Sequence, residues 1–176
     1  MNMWNLSESE LLLATVQLSI SFAGFASLAS VLRQRSAGDH PRLDASRLLN
    51  MLTISLAVAA LALLPLLPMS LAWSPRWVWG SAGAVGVVAI PVVGWTITRR
   101  TMGTAQDTGF SRTVTAVNYA LAASAFAGFS CSLAGFPVTN SFAAYFGGLV
   151  ALSCICGVLF YRVIASLLKP DAPGPH

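Results

Sequence analysis

Glu10, Ala14, Gln17, Ser21 and Gly24 recur at alternating spacings of four and three along an otherwise apolar stretch. That spacing places them on one face of a helix. A carboxylate, an amide and a hydroxyl on one face could line a polar path or hydrogen-bond to a neighbouring helix. The bundle-packing use is favoured, because amides and hydroxyls find partners when they face other protein. Glu10 also closes the motif Ser7-Glu8-Ser9-Glu10. In such a capping box Ser7 and Glu10 satisfy each other's backbone donors, so a helix cap is preferred here over a protonatable gate. Asn50 and Asn118 are two further amides inside apolar stretches. Both fall within about 8 Å of the end at which their helices begin, close enough in depth to bond across helices.

Other chemistry is thinly represented. His40 stands beside Asp39 with Asp44 nearby, and the second histidine is the last residue, His176. One histidine does not make a zinc site, which needs three or four ligands at set spacings. No nucleophile is paired with a base, so the chain is not expected to be an enzyme. No metal and no other cofactor is expected. Cys131 falls near the outer end of the fourth helix and Cys154 roughly 20 Å down the fifth, so the two are not expected to bridge. Cys154 and Cys156 point to nearly opposite sides of one helix, and all three cysteines read as small packing residues.

The elements that carry these residues follow from composition. The chain has 176 residues, 56% of them hydrophobic and 9% charged, with a mean hydropathy of +0.71 and a net charge of +4. A soluble domain carries about 25% charged residues. A soluble chain of this length cannot bury so much apolar surface. The sparse charge also leaves no broad basic face for nucleic acid. Charge-free runs cover Leu11–Leu32, Leu48–Pro75, Trp77–Thr98 and Thr113–Tyr161. A membrane crossing takes about 20 apolar residues. The last run is too long for one crossing and breaks at Gly135-Phe136-Pro137-Val138-Thr139-Asn140-Ser141, where glycine, proline and asparagine cluster.

The expected fold is therefore all-α: a polytopic membrane protein with a bundle of five transmembrane helices, near 10–32, 48–71, 77–98, 113–134 and 141–166. These form a single domain over 1–168, and the proline-containing tail 169–176 is expected to be disordered. The first run is read as a mature helix. No lysine or arginine precedes Arg33, and the run exceeds the apolar core of a signal peptide. Asp39-His40-Pro41-Arg42 reads as a turn, with Asp44 as the cap of the second helix.

Positive charge sets the expected orientation. Arg33, Arg35, Arg42 and Arg47 separate the first two helices, Arg99, Arg100 and Arg112 separate the third and fourth, and Arg162 and Lys169 follow the fifth. Only Arg76 falls at the other end. Positive residues stay cytoplasmic on insertion, so the N-terminus is expected outside and the C-terminus in the cytoplasm. Arg33, Arg35, Arg42, Arg47, Arg99 and Arg100 could also hold anionic lipid headgroups at about 1 kcal/mol each. Trp4, Trp73, Trp77 and Trp79 are expected as anchors at the outer interface, with Trp95 and Tyr161 at the inner one.

No Asp, Glu, Lys, Arg or His lies at the centre of any helix, which argues against proton relays and ion-coupled carriers. Small residues do recur. Ala116, Ala120, Ser124, Gly128 and Ser132 form a ridge on the fourth helix. The fifth helix has Ala143, Gly147 and Ala151, and the third pairs Gly80 with Ala84 and Ala82 with Gly86. Such ridges let helix backbones approach closely, and one ridge is expected to remain free for a partner. Pro65 and Pro68 deprive the carbonyls of Leu61 and Leu64 of their helical donors, and Pro91 does the same to Val87.

The chain is thus expected to be a non-enzymatic membrane subunit or scaffold, in contact with lipids and in a homo-oligomer or larger membrane complex. The alternative is a small oligomeric transporter or channel for an uncharged or weakly charged solute, with a path lined by Gln17, Ser21, Asn50 and Asn118. Nine arginines against one lysine in a chain rich in alanine suit a bacterium of high genomic GC content and hence a bacterial inner membrane.

Overall fold

The computed structural model describes residues 7–35, 41–102, 112–135 and 141–167, and 94% of these are helical, with no strand among them. Six helices follow in order: α1 (Glu8–Arg35), α2 (Pro41–Leu63), α3 (Leu66–Ser70), α4 (Pro75–Met102), α5 (Arg112–Ala134) and α6 (Ser141–Leu167). Five stretches are long and apolar enough to cross a membrane, namely Glu8–Ala29, Leu48–Ser70, Pro75–Arg100, Thr113–Ala134 and Ser141–Ala165. Trp4, Asp39, His40, Lys169, His176 and the tail 169–176 lie outside the described residues.

Local sequence explains where the helices begin and end. The capping box opens α1: the Ser7 amide donates to Glu10 Oε2 at 2.6 Å, and the Glu10 amide donates to Ser7 Oγ at 3.3 Å. The second helix starts at Pro41, not near 48, so Asp44 lies inside its first turn and is not its cap. Proline suits a first helical position, where its missing N–H costs nothing. The apolar stretch marked only the part of α2 that is long and hydrophobic; the helix itself continues into polar sequence. Pro65 then ends α2, and α3 begins after only two residues, Leu64 and Pro65. Pro91, in contrast, is carried inside an unbroken α4. Gly135 terminates α5 with a φ of +69°, a left-handed position that glycine occupies without a steric penalty.

α2 and α6 form the centre. α2 touches α1, α4 and α6, while α6 touches α1, α2, α4 and α5. The main core gathers Leu12, Val58, Trp79, Phe129, Tyr145 and Leu149, and a smaller cluster of Ala26, Ala29, Leu48, Met51 and Val163 joins α1, α2 and α6. Packing differs between the two ends of the bundle. On α4 the buried residues are Val78, Trp79, Ala82, Gly83 and Gly86, and none from Val87 to Arg100 is buried. On α5 they are Ala125, Phe129 and Ser132, and none from Thr113 to Ser124 is buried. The tryptophan-rich end is therefore tightly packed, and the arginine-rich end is looser around α4 and α5.

Glycines set the tight end. A Cβ on Gly83 would lie 2.8 Å from the Leu133 nitrogen and the Phe129 oxygen, and one on Gly128 would lie 2.7 Å from the Ala144 oxygen. The α4–α5 and α5–α6 backbones come this close only because no side chain intervenes. Trp79 corrects an expectation. It is 4% exposed, within an aromatic cluster with Phe142 and Tyr145, and is no interfacial anchor. It shares the buried face of α4 with Val78, Ala82 and Gly86, whereas Trp73 and Trp77 are exposed as expected, like Trp95 and Tyr161.

Candidate functional site

The polar stripe of α1 faces away from the rest of the chain. Glu10, Ala14, Gln17, Ser21 and Gly24 are all exposed. The opposite face of the helix, with Leu12, Val16, Ser19, Ala23 and Ala26, is buried, and α1 packs chiefly on α2. The Ser21 hydroxyl is satisfied within the helix, donating to the Gln17 carbonyl oxygen at 2.8 Å. A Cβ on Gly24 would meet nothing within 4 Å. The stripe is thus an open strip of small side chains with one amide and, at its start, the Glu10 carboxylate, covered by no other described helix.

Asn50 and Asn118 are placed quite differently. Asn50 is 6% exposed on α2, and Asn118 is half-buried on α5. The Oδ1 atom of each is buried and has no hydrogen-bond partner among the described residues. The two amides therefore do not bond to each other through these oxygens. Nor do they join Gln17 and Ser21 on one path, since those two lie on the outer surface of α1. Next to Asn50 on the same face of α2, Thr53 Oγ1 accepts a 3.1 Å hydrogen bond from Nη1 of Arg100. Arg99 lies over the Trp95 ring, 4.6 Å from its centroid. Arg33 and Arg35 fall in the last turn of α1, and Arg42 and Arg47 in α2; their side chains lie outside the described ones.

The ridge expected on the fourth helix divides. Ala116, Ala120 and Ser124 are exposed on α5. Gly128 packs on the α6 backbone, and Ser132 donates to the Trp79 carbonyl at 3.0 Å. On α6, Gly147 faces open space, and its neighbour Gly148 makes the contact with Ala125 and Phe129. Gly83 and Gly148 were not singled out in the sequence. Adjacent small residues such as Gly147 and Gly148 point about 100° apart, and spacing alone does not say which one meets a neighbour.

A groove of about 340 Å³ lies between α1 and α6, lined by Ala14, Thr15, Leu18, Phe22, Phe146, Val150, Ser153 and Cys154 among others. Its hydroxyls are spent within their own helices, Thr15 on the Leu11 carbonyl and Ser153 on the Leu149 carbonyl. The groove is thus lined almost wholly by apolar side chains, with the hydroxyl protons of Thr15 and Ser153 already donated. The three cysteines are free; Cys156 is buried in the core, whereas Cys154 is exposed on this groove and is not the packing residue it was expected to be. No group of three or more metal-ligating side chains occurs among the described residues.

These features define a class: an all-helical bundle with five helices of membrane-crossing length and an amide-bearing outer face. The chain matches no known protein-family model, no curated protein and no solved structure.

Proposed function

We propose that the chain is a non-enzymatic subunit of a membrane assembly that docks a transmembrane helix, from a partner or a second copy, on the outer face of α1. The observation that carries this reading is the exposure of the whole Glu10–Ala14–Gln17–Ser21–Gly24 stripe. In a bilayer that face meets hydrocarbon unless protein covers it. An amide moved from water to hydrocarbon without a partner costs roughly 4–8 kcal/mol. A second helix supplies the missing hydrogen bonds, and Ala14, Ser21 and Gly24 let its backbone come close.

In this reading the N-terminus lies outside and the C-terminus in the cytoplasm of a bacterial inner membrane, because the arginines gather at one end of the bundle. Arg99 and Arg100 are exposed at that end and, with Arg33, Arg35, Arg42 and Arg47, hold anionic lipid headgroups. The test is mass analysis of the complex in nanodiscs, with and without chemical crosslinking. A dimer or a co-purifying protein is expected, and Gln17→Leu with Gly24→Leu should release it. A lone monomer under native lipid conditions overturns the reading. A second reading, a small transporter for uncharged solutes, is favoured by one observation, the two buried amide oxygens of Asn50 and Asn118.

A further inference from the structure

The arginine-rich end of the bundle contains two buried polar atoms that no described residue satisfies. Asn50 is the second residue of the membrane-crossing stretch Leu48–Ser70 after its first, and Asn118 the fifth after the first of Thr113–Ala134. Both helices run the same way from this end, and counted from the starts of these stretches the amides differ by three residues, about 4–5 Å of helical rise. They lie on the faces of α2 and α5 that continue into the core through Ile54 and Val58, and through Ala122, Ala125 and Phe129. Each presents a buried Oδ1 with no donor among the described residues. Buried acceptors in native proteins are almost always paired with protein, water or ligand.

We propose that Asn50 and Asn118 form a polar layer that binds small uncharged hydrogen-bond donors, either resident water or a solute of the same chemistry. Both unsatisfied atoms are acceptors, so an anion gains nothing from them. A bare metal cation needs about six oxygen ligands, and the Arg99 and Arg100 guanidiniums at the same end disfavour positive charge. Neutral donors remain. Access comes from the looser half of the bundle, where none of residues 87–100 on α4 and none of residues 113–124 on α5 is buried. Thr53, one turn from Asn50, already accepts a hydrogen bond from Arg100, whereas the two amide oxygens have no partner among the described residues. The inference does not depend on the α1 docking face. It supplies the transport reading with a chemistry but stands without it, since bound water alone fills the role.

The experiment is water-edited solid-state NMR on the full chain in lipid bilayers, labelled at asparagine and tyrosine. The Asn50 and Asn118 side-chain signals are assigned by their loss in Asn50→Leu and Asn118→Leu. Magnetisation from water should reach both amides severalfold faster than it reaches the ring of Tyr145, which is 0% exposed in the main core. Transfer to both amides as slow as to Tyr145 overturns the proposal. Urea then separates the two sources. A concentration-dependent shift of the two amide signals identifies a solute site, and unchanged signals with fast water transfer identify resident water. Urea flux into proteoliposomes is a separate readout, so transport can fail while the site stands.

Discussion

The hydroxyl of Tyr145 donates a 2.6 Å hydrogen bond to the carbonyl oxygen of Leu61. Leu61 lies four residues before Pro65, which has no N–H to return the helical bond. A side chain from α6 thus replaces the donor that α2 lacks at its break. The tyrosine is itself held by ring contacts to Trp79 at 5.7 Å and Phe129 at 5.1 Å. The carbonyl that Pro65 deprives of its donor is therefore satisfied by protein.

Tyr145→Phe keeps the ring and removes the donor. It leaves a buried carbonyl unpaired, which costs about 1–3 kcal/mol. We expect a lower unfolding midpoint in detergent titration with little change in helical content by circular dichroism. An unchanged midpoint would show that the Leu61 carbonyl finds another donor.

Gly128 and Gly147 should respond to alanine with opposite signs. A Cβ on Gly128 meets the Ala144 oxygen at 2.7 Å and the Gly148 nitrogen at 3.0 Å, both backbone atoms that cannot swing aside. Gly128→Ala should therefore destabilise by about 1–3 kcal/mol, the usual cost of overpacking. A Cβ on Gly147 meets nothing within 4 Å, so Gly147→Ala should gain up to about 1 kcal/mol of helix propensity. The pair of unfolding midpoints, compared with wild type, checks both.

Ala72 carries a φ of +54° just after α3. Its amide donates to the Met69 carbonyl at 3.1 Å, and the Trp73 amide donates to the Pro68 carbonyl at 3.1 Å. This is the helix-ending motif that glycine usually occupies. Left-handed backbone costs a side-chain-bearing residue roughly 1–2 kcal/mol. Ala72→Gly should raise the thermal midpoint, and a fall would mean that the turn is held by contacts of the Ala72 methyl.

Cys154 is exposed in the α1–α6 groove and Cys156 is buried, accepting a 3.6 Å contact from Ser55 Oγ. A lipophilic maleimide should alkylate Cys154 in the folded protein and reach Cys156 only after denaturation. Peptide mass mapping reads the two sites apart. Equal labelling of both in the native state would mean that α6 is turned relative to α2.

The primary sequence alone determined the number of long apolar helices, their approximate limits and the capping box at Ser7–Glu10. These depend on run length and on groups within a few residues of each other. It also marked Leu61 as a carbonyl in need of a partner, because proline acts on its own helix. Which face of each helix is covered followed from packing in three dimensions. Trp79 entered the core, Gly148 took the contact that Gly147 does not make, and Gln17 turned outward while Asn50 turned in. The reason is physical: in a chain apolar all round its helices, hydrophobic periodicity carries little directional signal, and shape at the points of close backbone approach chooses the faces.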